Sequence, residues 1–399
     1  MSQRTRRIRM GLIGPGFIGP HHVDAVRRLG DVDVVAVAGS SLESARRKAA
    51  MLHIDKAYGD YRELLADPSI DVVHNTTPNN LHFPVNMAAI EAGKHVISDK
   101  PLGLNSRETA KLRDAAAAAG VVNAVTFNYR GNPLVQQMRL MREGGQIGST
   151  FFVHGQYLQD WMTDDTVFSW RMDPQRGGAS SALADIGSHW CDLAQHTLGA
   201  RIAEVFADLT TVVKTRYAGG ASDEAFQHNT KEDRIPKEIH GEDLAVVLVR
   251  FENGVKGCFT VGQVMPGHKN DLRIELTGRE GSLHWEQERQ NVLWIGRHNQ
   301  PNALMDKDPS LMLPGAASYA SLPGGHQEAW ADAFRNVIAD AYRWIRTGEK
   351  PPTVCTFEDA DHTARVLDAM LLSAETNAWQ RVESDLPVVA DRGQINQWV

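Results

Sequence analysis

Gly14-Pro15-Gly16-Phe17-Ile18-Gly19 lies between an apolar run and a helical stretch. In that setting glycines allow a tight turn and let backbone N–H groups approach a pyrophosphate at a helix N-terminus. The pattern alone is weak in a chain with 34 glycines, but its place on the first strand of a parallel βαβ unit points to a dinucleotide. The next candidate strand ends Val37-Ala38-Gly39-Ser40-Ser41, with no carboxylate before Glu43 to hold a ribose 2′-hydroxyl. Ser40 and Ser41, with Arg46 and Arg47 nearby, can receive a 2′-phosphate, which favours NADP with NAD as the alternative. The competing reading is a helix cap followed by solvated arginines. In Ser98-Asp99-Lys100-Pro101-Leu102-Gly103, Lys100 follows a strand whose C-terminal end faces the ligand crevice of an open parallel sheet; a surface lysine is the alternative. In Asp185-Ile186-Gly187-Ser188-His189-Trp190-Cys191-Asp192, Asp185 and His189 are spaced i,i+4 and share a helix face. A carboxylate beside an imidazole suits proton transfer to or from an alcohol; otherwise Asp185 faces the helix dipole and His189 merely packs. No metal site is expected, since His21 and His22 are adjacent and no H-x-x-x-H occurs.

These residues need a scaffold, and the chain supplies a legible one. Strand candidates are Ile8–Ile13, Val32–Ala38, Val72–Asn75, His95–Ser98 and Val121–Phe127, alternating with helical stretches Ile18–Leu29, Leu42–Leu52, Pro84–Ala92 and Ser106–Ala119. Short strands alternating with helices imply right-handed crossovers and a doubly wound parallel sheet. This predicts an α/β dinucleotide-binding (Rossmann) domain over residues 1–130. After Phe127 come a helix (Pro133–Glu143), a strand (Thr150–Tyr157) and a long helix, Leu183–Leu198. Mostly alternating strands follow at Val205–Val213, Ala245–Phe251, Val255–Val264, Leu272–Thr277 and Ser282–Trp285, with a hairpin signal at Asn253-Gly254. Residues 131–399 are therefore expected to form an α+β domain with a large open antiparallel sheet. Ala218–Gly241 and Asn299–Gly325 read as loops, and helices over Gln327–Arg346 and Phe357–Asn377 finish the chain.

The 399 residues are enough for two or three domains. With 42% apolar and 23% charged residues, disorder and coiled coil are excluded as the main organisation. Lys plus Arg number 42 against 49 Asp plus Glu, a net charge of −7, which gives no general basis for binding nucleic acid or an anionic membrane. No apolar run approaches the roughly 18 residues of a membrane span. Three distant cysteines (Cys191, Cys258, Cys355) suit a reducing, cytoplasmic setting.

Four motifs then coincide in order: Gly14-x-Gly16-x-x-Gly19, Thr77-Pro78-Asn79-x-Leu81-His82, Asp99-Lys100-Pro101-Leu102 and Asp185-x-Gly187-x-His189. Together with Trp170-Arg171, Gly177-Gly178 and Phe251-Glu252-Asn253-Gly254, they make the chain resemble the Gfo/Idh/MocA oxidoreductases, the glucose–fructose oxidoreductase and inositol dehydrogenase group. Tyr157-Leu158-Gln159-Asp160-Trp161 looks like the levoglucosan-dehydrogenase-type branch. The resemblance implies a cofactor site of Gly14, Gly16, Phe17, Ile18, Gly19, Ser40, Ser41, Thr77, Pro78, Asn79, His82, Asp99, Lys100, Asn128, Trp170 and Arg171. It implies Lys100, Asp185 and His189 as catalytic residues, with Tyr157 and Trp161 joining them around the substrate. It also implies a cis Lys100–Pro101 bond and an exposed sheet face that mediates homodimers or homotetramers. Asp99 stands where a Glu is more usual and Asn75-Thr76-Thr77 where a Cys-Thr is commoner, which alters contacts on the nicotinamide side. The expected activity is NAD(P)-dependent hydride transfer at a secondary hydroxyl of a neutral sugar, anhydrosugar or inositol-like polyol. The other readings are a glycosidase using tightly held NAD and a nicotinamide-binding sensor without turnover.

Overall fold

A computed structural model describes residues 6–218 and 234–383. The chain divides into two compact units. The first comprises Met1–Gly103, Arg107–Gly131 and Ala329–Asp361. Its six strands are β1 (Ile8–Ile13), β2 (Val32–Ala38), β3 (Lys56–Tyr58), β4 (Val72–Asn75), β5 (His95–Ser98) and β6 (Asn123–Val125). They pair in parallel in the order β3-β2-β1-β4-β5-β6. The order reverses between β1 and β4, the switch point where open α/β sheets bind ligands.

Helices α1 (Gly19–Arg27), α2 (Leu42–Leu52), α3 (Tyr61–Ala66), α4 (Asn79–Glu91) and α5 (Ser106–Ala119) connect these strands. Both sheet faces are covered, which is why the strands read as apolar runs without alternation. Leu12, Val37, Val72 and Ile97 pack with Val23 and Val26 of α1, while Ile13, Val73 and Val96 pack with Leu64, Val85 and Leu112. Helix α4 starts at Asn79, five residues before the expected Pro84, and Pro84 sits inside it. The missing N–H of one early proline costs a single backbone bond there, so it does not act as a helix start.

The second unit comprises Leu104–Ser106, Asn132–Glu328 and His362–Val399. Its elements begin with α6 (Pro133–Glu143), β7 (Thr150–Leu158), the single turn α7 (Pro174–Gly177) and α8 (Ser188–Leu198). Strands β8 (Ile202–Thr210), β9 (Thr215–Ala218), β10 (Ile235–Glu238), β11 (Leu244–Phe251) and β12 (Lys256–Gly262) come next. After them are β13 (Asp271–Gly278), β14 (Gly281–Glu286), β15 (Val292–Arg297), β16 (Ala303–Asp306) and the short helix α9 (Pro314–Ala317). Helix α10 (Trp330–Thr347) belongs to the first unit, and α11 (Phe357–Thr376) with β17 (Gln380–Arg381) ends the described chain.

Nine strands form one sheet in the order β16-β15-β14-β13-β7-β12-β11-β8-β17, antiparallel except for the parallel pair β7/β12. Alternation is plain in β11, where Ala245, Val247, Val249 and Phe251 are buried and Val246 and Leu248 exposed.

Several features depart from the expected outline: β3, α3 and β15 were not expected, and the expected loop Asn299–Gly325 holds β16 and α9. The stretch 131–399 is not one continuous unit, because α10 places Phe334, Ile338, Ala341 and Tyr342 in the core under β1 and β4. Asp332 accepts from the Ala329 N–H at its start and Gly348, at φ 73°, ends it. The expected loop Ala218–Gly241 holds β10, which pairs antiparallel with β9; its fully exposed Ile-Pro-Lys-Glu carries no period-two signal. Residues 219–233 of that stretch lie outside the described ones. The long helix expected from Leu183 opens as a π turn, Leu183–Gly187, before α8 proper.

Candidate functional site

In the first unit, the sequence-predicted cofactor residues lie at the C-terminal ends of consecutive strands. The loop after β1 carries Gly14 at φ +84°, and a Cβ there would meet Thr77 N at 2.7 Å, so only glycine permits this close approach. An added Cβ at Gly16 would meet nothing within 4 Å, which leaves open space beside its backbone for a pyrophosphate. Thr76 Oγ1 holds the turn by donating to the Gly14 and Ile13 carbonyls at 2.6 and 3.1 Å. Phe17 is exposed and meets the His21 ring edge-on.

At the end of β4, the unusual Asn75 has a definite task. Its Oδ1 accepts from Thr77 Oγ1 at 2.7 Å and Thr77 N at 3.2 Å, and its Nδ2 donates to Asn86 Oδ1 at 2.9 Å. Asn86 donates onward to Ser98 Oγ, and Ser98 Oγ donates to the Asp99 carbonyl, both at 3.0 Å. This buried chain fixes the ends of β4 and β5 relative to each other, so Asn75 orders Thr77. Pro78 and Asn79 open α4, and the His82 ring nitrogens face the carbonyls of Thr77 and Pro101. Asp99 accepts from Thr126 Oγ1 at 2.8 Å, and the Lys100–Pro101 peptide bond is cis, as expected. Beyond β6, Asn128 is 2% exposed and its Nδ2 has no hydrogen-bond partner among the described residues. An orphaned buried donor after β6 and an open glycine cradle after β1 each fit a polar ligand such as a dinucleotide.

In the second unit, the π turn presents Asp185 and the first turn of α8 presents His189. The Asp185 Oδ2 accepts from Gln263 Nε2 at 2.8 Å, and its Oδ1 lies 3.5 Å from Arg171 Nε. The Arg171 guanidinium stacks over Trp170 at 4.7 Å. The buried His189 ring lies 6.1 Å, centroid to centroid, from Tyr157. Tyr157 OH donates to Asn270 Oδ1 at 2.7 Å, Gln159 Nε2 donates to the same oxygen at 3.0 Å, and Trp161 Nε1 donates to Gln159 Oε1 at 2.9 Å. Asp160 is tied up by Lys269, whose ammonium holds its carboxyl below the usual range.

Sequence reasoning missed Gln263, Asn270 and Glu242. The fully buried Glu242 carboxylate accepts from Ser180 Oγ, Ser181 N and Leu183 N at 2.7, 3.0 and 2.9 Å, capping the turn that carries Asp185. An acidic residue far along the chain from a helix start gives no local signal. Among the described residues, no group of three His, Cys, Asp or Glu side chains could hold a metal, and no helix is long and apolar enough to cross a membrane.

Comparison with known proteins places this geometry among relatives. Residues 8–127 match the model of an oxidoreductase family with an NAD-binding Rossmann fold, and residues 135–284 match the GFO/IDH/MocA C-terminal domain. The chain is 32% identical over 301 residues to a levoglucosan dehydrogenase of Pseudarthrobacter phenanthrenivorans, covering 73% of this chain and 76% of that one. A solved levoglucosan dehydrogenase in complex with NADH and L-sorbose superposes with TM-score 0.86 at 28% identity, over 95% of this chain and 99% of that one. An inositol dehydrogenase homolog from Azotobacter vinelandii, complexed with NAD+, gives TM-score 0.83 at 26% identity over 95% and 99%.

The NADP preference expected from Gly39-Ser40-Ser41 is thereby corrected, because these structural neighbours hold NADH or NAD+. The local reason lies in what the hydroxyls and arginines do. Ser41 is the N-cap of α2, its Oγ accepting from Ser44 N at 3.2 Å, and Arg47 lies 3.8 Å from Glu43 on the next turn. The missing carboxylate removed one objection to a 2′-phosphate without supplying a site for one.

Proposed function

The chain belongs to the Gfo/Idh/MocA oxidoreductase family and is an NAD(P)-linked oxidoreductase of secondary hydroxyls on sugars, anhydrosugars or polyols; we propose that its cofactor is NAD and its substrate a neutral, pyranose-sized ring. The observation that carries this reading is the make-up of the wall in the second unit. Tyr157 and Trp161 supply flat apolar faces, and Gln159, Asn270, Gln263 and Asp185 form a connected set of hydrogen-bonding groups beside His189. Such a wall suits a ring with C–H faces and peripheral hydroxyls. An acidic substrate would need cations with fork geometry. The two candidates are already paired, Arg171 with Asp185 and Arg130 with Asp359 at 3.8 Å.

Bound NAD would supply the hydride acceptor. His189 takes the alcohol proton, since a neutral imidazole is the ordinary base near neutrality. Lys100 stabilises negative charge developing on the reacting oxygen. Asp185, an acceptor at both oxygens when ionised, positions a substrate hydroxyl. Gly14, Gly16, Phe17, Ile18, Gly19, Thr77, Pro78, Asn79, His82, Asp99 and Asn128 form the cofactor side contributed by the first unit, and Trp170 and Arg171 are the second unit's candidates for the same ligand.

The reading includes a cytoplasmic homodimer or homotetramer built on the open face of the nine-stranded sheet. There Val246 and Leu248 are exposed on β11, and Trp379 carries the Arg250 guanidinium at 4.0 Å. The experiment is a panel of inositols, levoglucosan and glucose against gluconate and glucose 6-phosphate, each with NAD+, following NADH formation. Turnover on a neutral ring is expected, and activity confined to the acidic compounds overturns the proposal.

A further inference from the structure

We propose that Gln263 is a positioning residue for this reaction: its buried amide aims the Asp185 carboxylate and keeps it an acceptor, an inference that rests on the reading of Asp185 as a substrate-side group. Gln263 is 1% exposed, and its Nε2 donates to Asp185 Oδ2 at 2.8 Å and reaches Gln159 Oε1 at 3.5 Å. The orientation of this amide is dictated by its neighbours. Asp185 as a carboxylate only accepts, and the indole N–H of Trp161 only donates. Trp161 therefore fixes Gln159 with its oxygen towards Trp161 and its nitrogen towards Asn270, where Asn270 Oδ1 accepts. Gln263 must then turn its NH2 group to both Asp185 and the Gln159 oxygen. Every donor in the row faces an acceptor: Gln159 Oε1 accepts from both Trp161 and Gln263, and Gln263 also donates to Asp185.

The backbone of Gln263 is pinned as firmly. Its N–H donates to the Asp243 carbonyl at 2.9 Å, and its carbonyl accepts from Met162 N at 3.1 Å. Gly262 and Leu244 are paired in register, so Gln263 and Glu242–Asp243 lie at the same end of the β11/β12 pair. That strand end performs two tasks on one helical turn. Glu242 captures the N–H groups of Ser181 and Leu183, and Gln263 holds the carboxylate two residues further on. The π turn between them gives Asp185 a rotation that a continuous α-helix would not, a feature frequent at functional sites.

The consequence is a proton-dependent signature. A glutamate in place of Gln263 is isosteric, and its protonated form can donate one O–H to Asp185 much as the amide N–H does. Two carboxylates at this separation share a proton, and the pair loses it only at raised pH, with the Arg171 guanidinium 3.5 Å from Asp185 Oδ1 limiting that rise. Below that point Gln263→Glu mimics the amide; above it, two like charges repel and Asp185 swings. Gln263→Met keeps volume and offers no donor at any pH.

The test measures kcat and KM across about pH 5 to pH 9 at saturating NAD+, with a substrate identified by the panel, for the parent, Gln263→Glu, Gln263→Met and Asp185→Asn. The kcat/KM ratio of Gln263→Glu to parent should lie near one at the acid end and fall by about tenfold or more at the alkaline end. For Gln263→Met, KM should rise about tenfold with a smaller change in kcat and no trend in the ratio with pH. A flat ratio for Gln263→Glu overturns the inference, and so does parent-like KM for Gln263→Met. Should the Met variant fail to fold, the isosteric Glu variant decides alone. Asp185→Asn separates the two layers of argument. If it retains parent kinetics, the role assigned to Asp185 falls; if it is impaired while Gln263→Glu shows a flat ratio, only the role of Gln263 falls.

Discussion

Replacing His22 with leucine should make the protein less stable near neutrality yet shrink the difference from the parent in acid. His22, on α1, His74, on β4, and Tyr342, on α10, are all 0% exposed. Their polar atoms form a row, His22 Nδ1 to His74 Nδ1 at 2.8 Å and His74 Nε2 to Tyr342 OH at 3.0 Å. One neutral ring donates and the other accepts at the Nδ1 contact; adding a proton leaves two donors face to face. Burial lowers the His22 pKa from 6.5 to about 4, partly offset by the Asp99 charge, and burial next to His22 lowers that of His74. A folded-state pKa below the unfolded value means stability present above about pH 6.5 and lost as pH falls towards 4. Linkage for His22 alone gives a loss of about 2 kcal/mol between about pH 7.5 and about pH 5. Near pH 7.5, His22→Leu forfeits the Nδ1 contact and leaves His74 with a buried unpaired nitrogen, a cost of about 1–3 kcal/mol. Near pH 5 the parent has lost its own about 2 kcal/mol and the leucine variant has not, so the gap closes by that amount. Urea unfolding of both proteins at the two pH values measures this, and titrations common to both cancel in the difference. A gap that stays the same within about 0.5 kcal/mol would refute the assignment of acid sensitivity to this pair.

Lys100→Met and His189→Ala should each lower kcat by about 10²-fold or more while NAD+ affinity, followed by fluorescence titration, stays close to parent; near-normal turnover in either removes that residue from the mechanism. Gly14→Ala must hold alanine at φ +84° with its Cβ 2.7 Å from Thr77 N, so NADH binding should weaken by about tenfold or more, and an unchanged dissociation constant would contradict the cradle geometry. Leu248→Glu, opposite Phe206 and Cys258 on neighbouring strands, should shift sedimentation to a smaller species if the open sheet face joins subunits; an unaltered sedimentation profile would place the interface elsewhere.

Local pattern made the first unit legible, because β1, β2, β4 and β5 are apolar runs between helical stretches and the glycine loop follows β1 directly. For Lys100 and His189 local pattern left a surface lysine and a packed imidazole open, and only the four motifs that carry the family resemblance single them out. What escaped depends on contacts distant in sequence. Nothing around Gln263 signals that its amide reaches Asp185, 78 positions earlier, and Glu242 caps a turn some 60 residues away. Helix α10 was readable as amphipathic, but its membership of the first unit follows from which core Phe334 and Tyr342 fill. Ser40 and Ser41 misled because one motif, hydroxyls before a helix, serves both a 2′-phosphate and an N-cap.

The most direct test of hydride transfer from a ring carbon uses a substrate from the panel carrying deuterium on its ring carbons. The enzyme is incubated with excess NAD+ and the reduced cofactor is examined by mass spectrometry. NADH with one transferred deuterium, accumulating far beyond the amount of enzyme, is expected together with a ketone product. Substrate consumption without net NADH, or NADH free of the label, would contradict it.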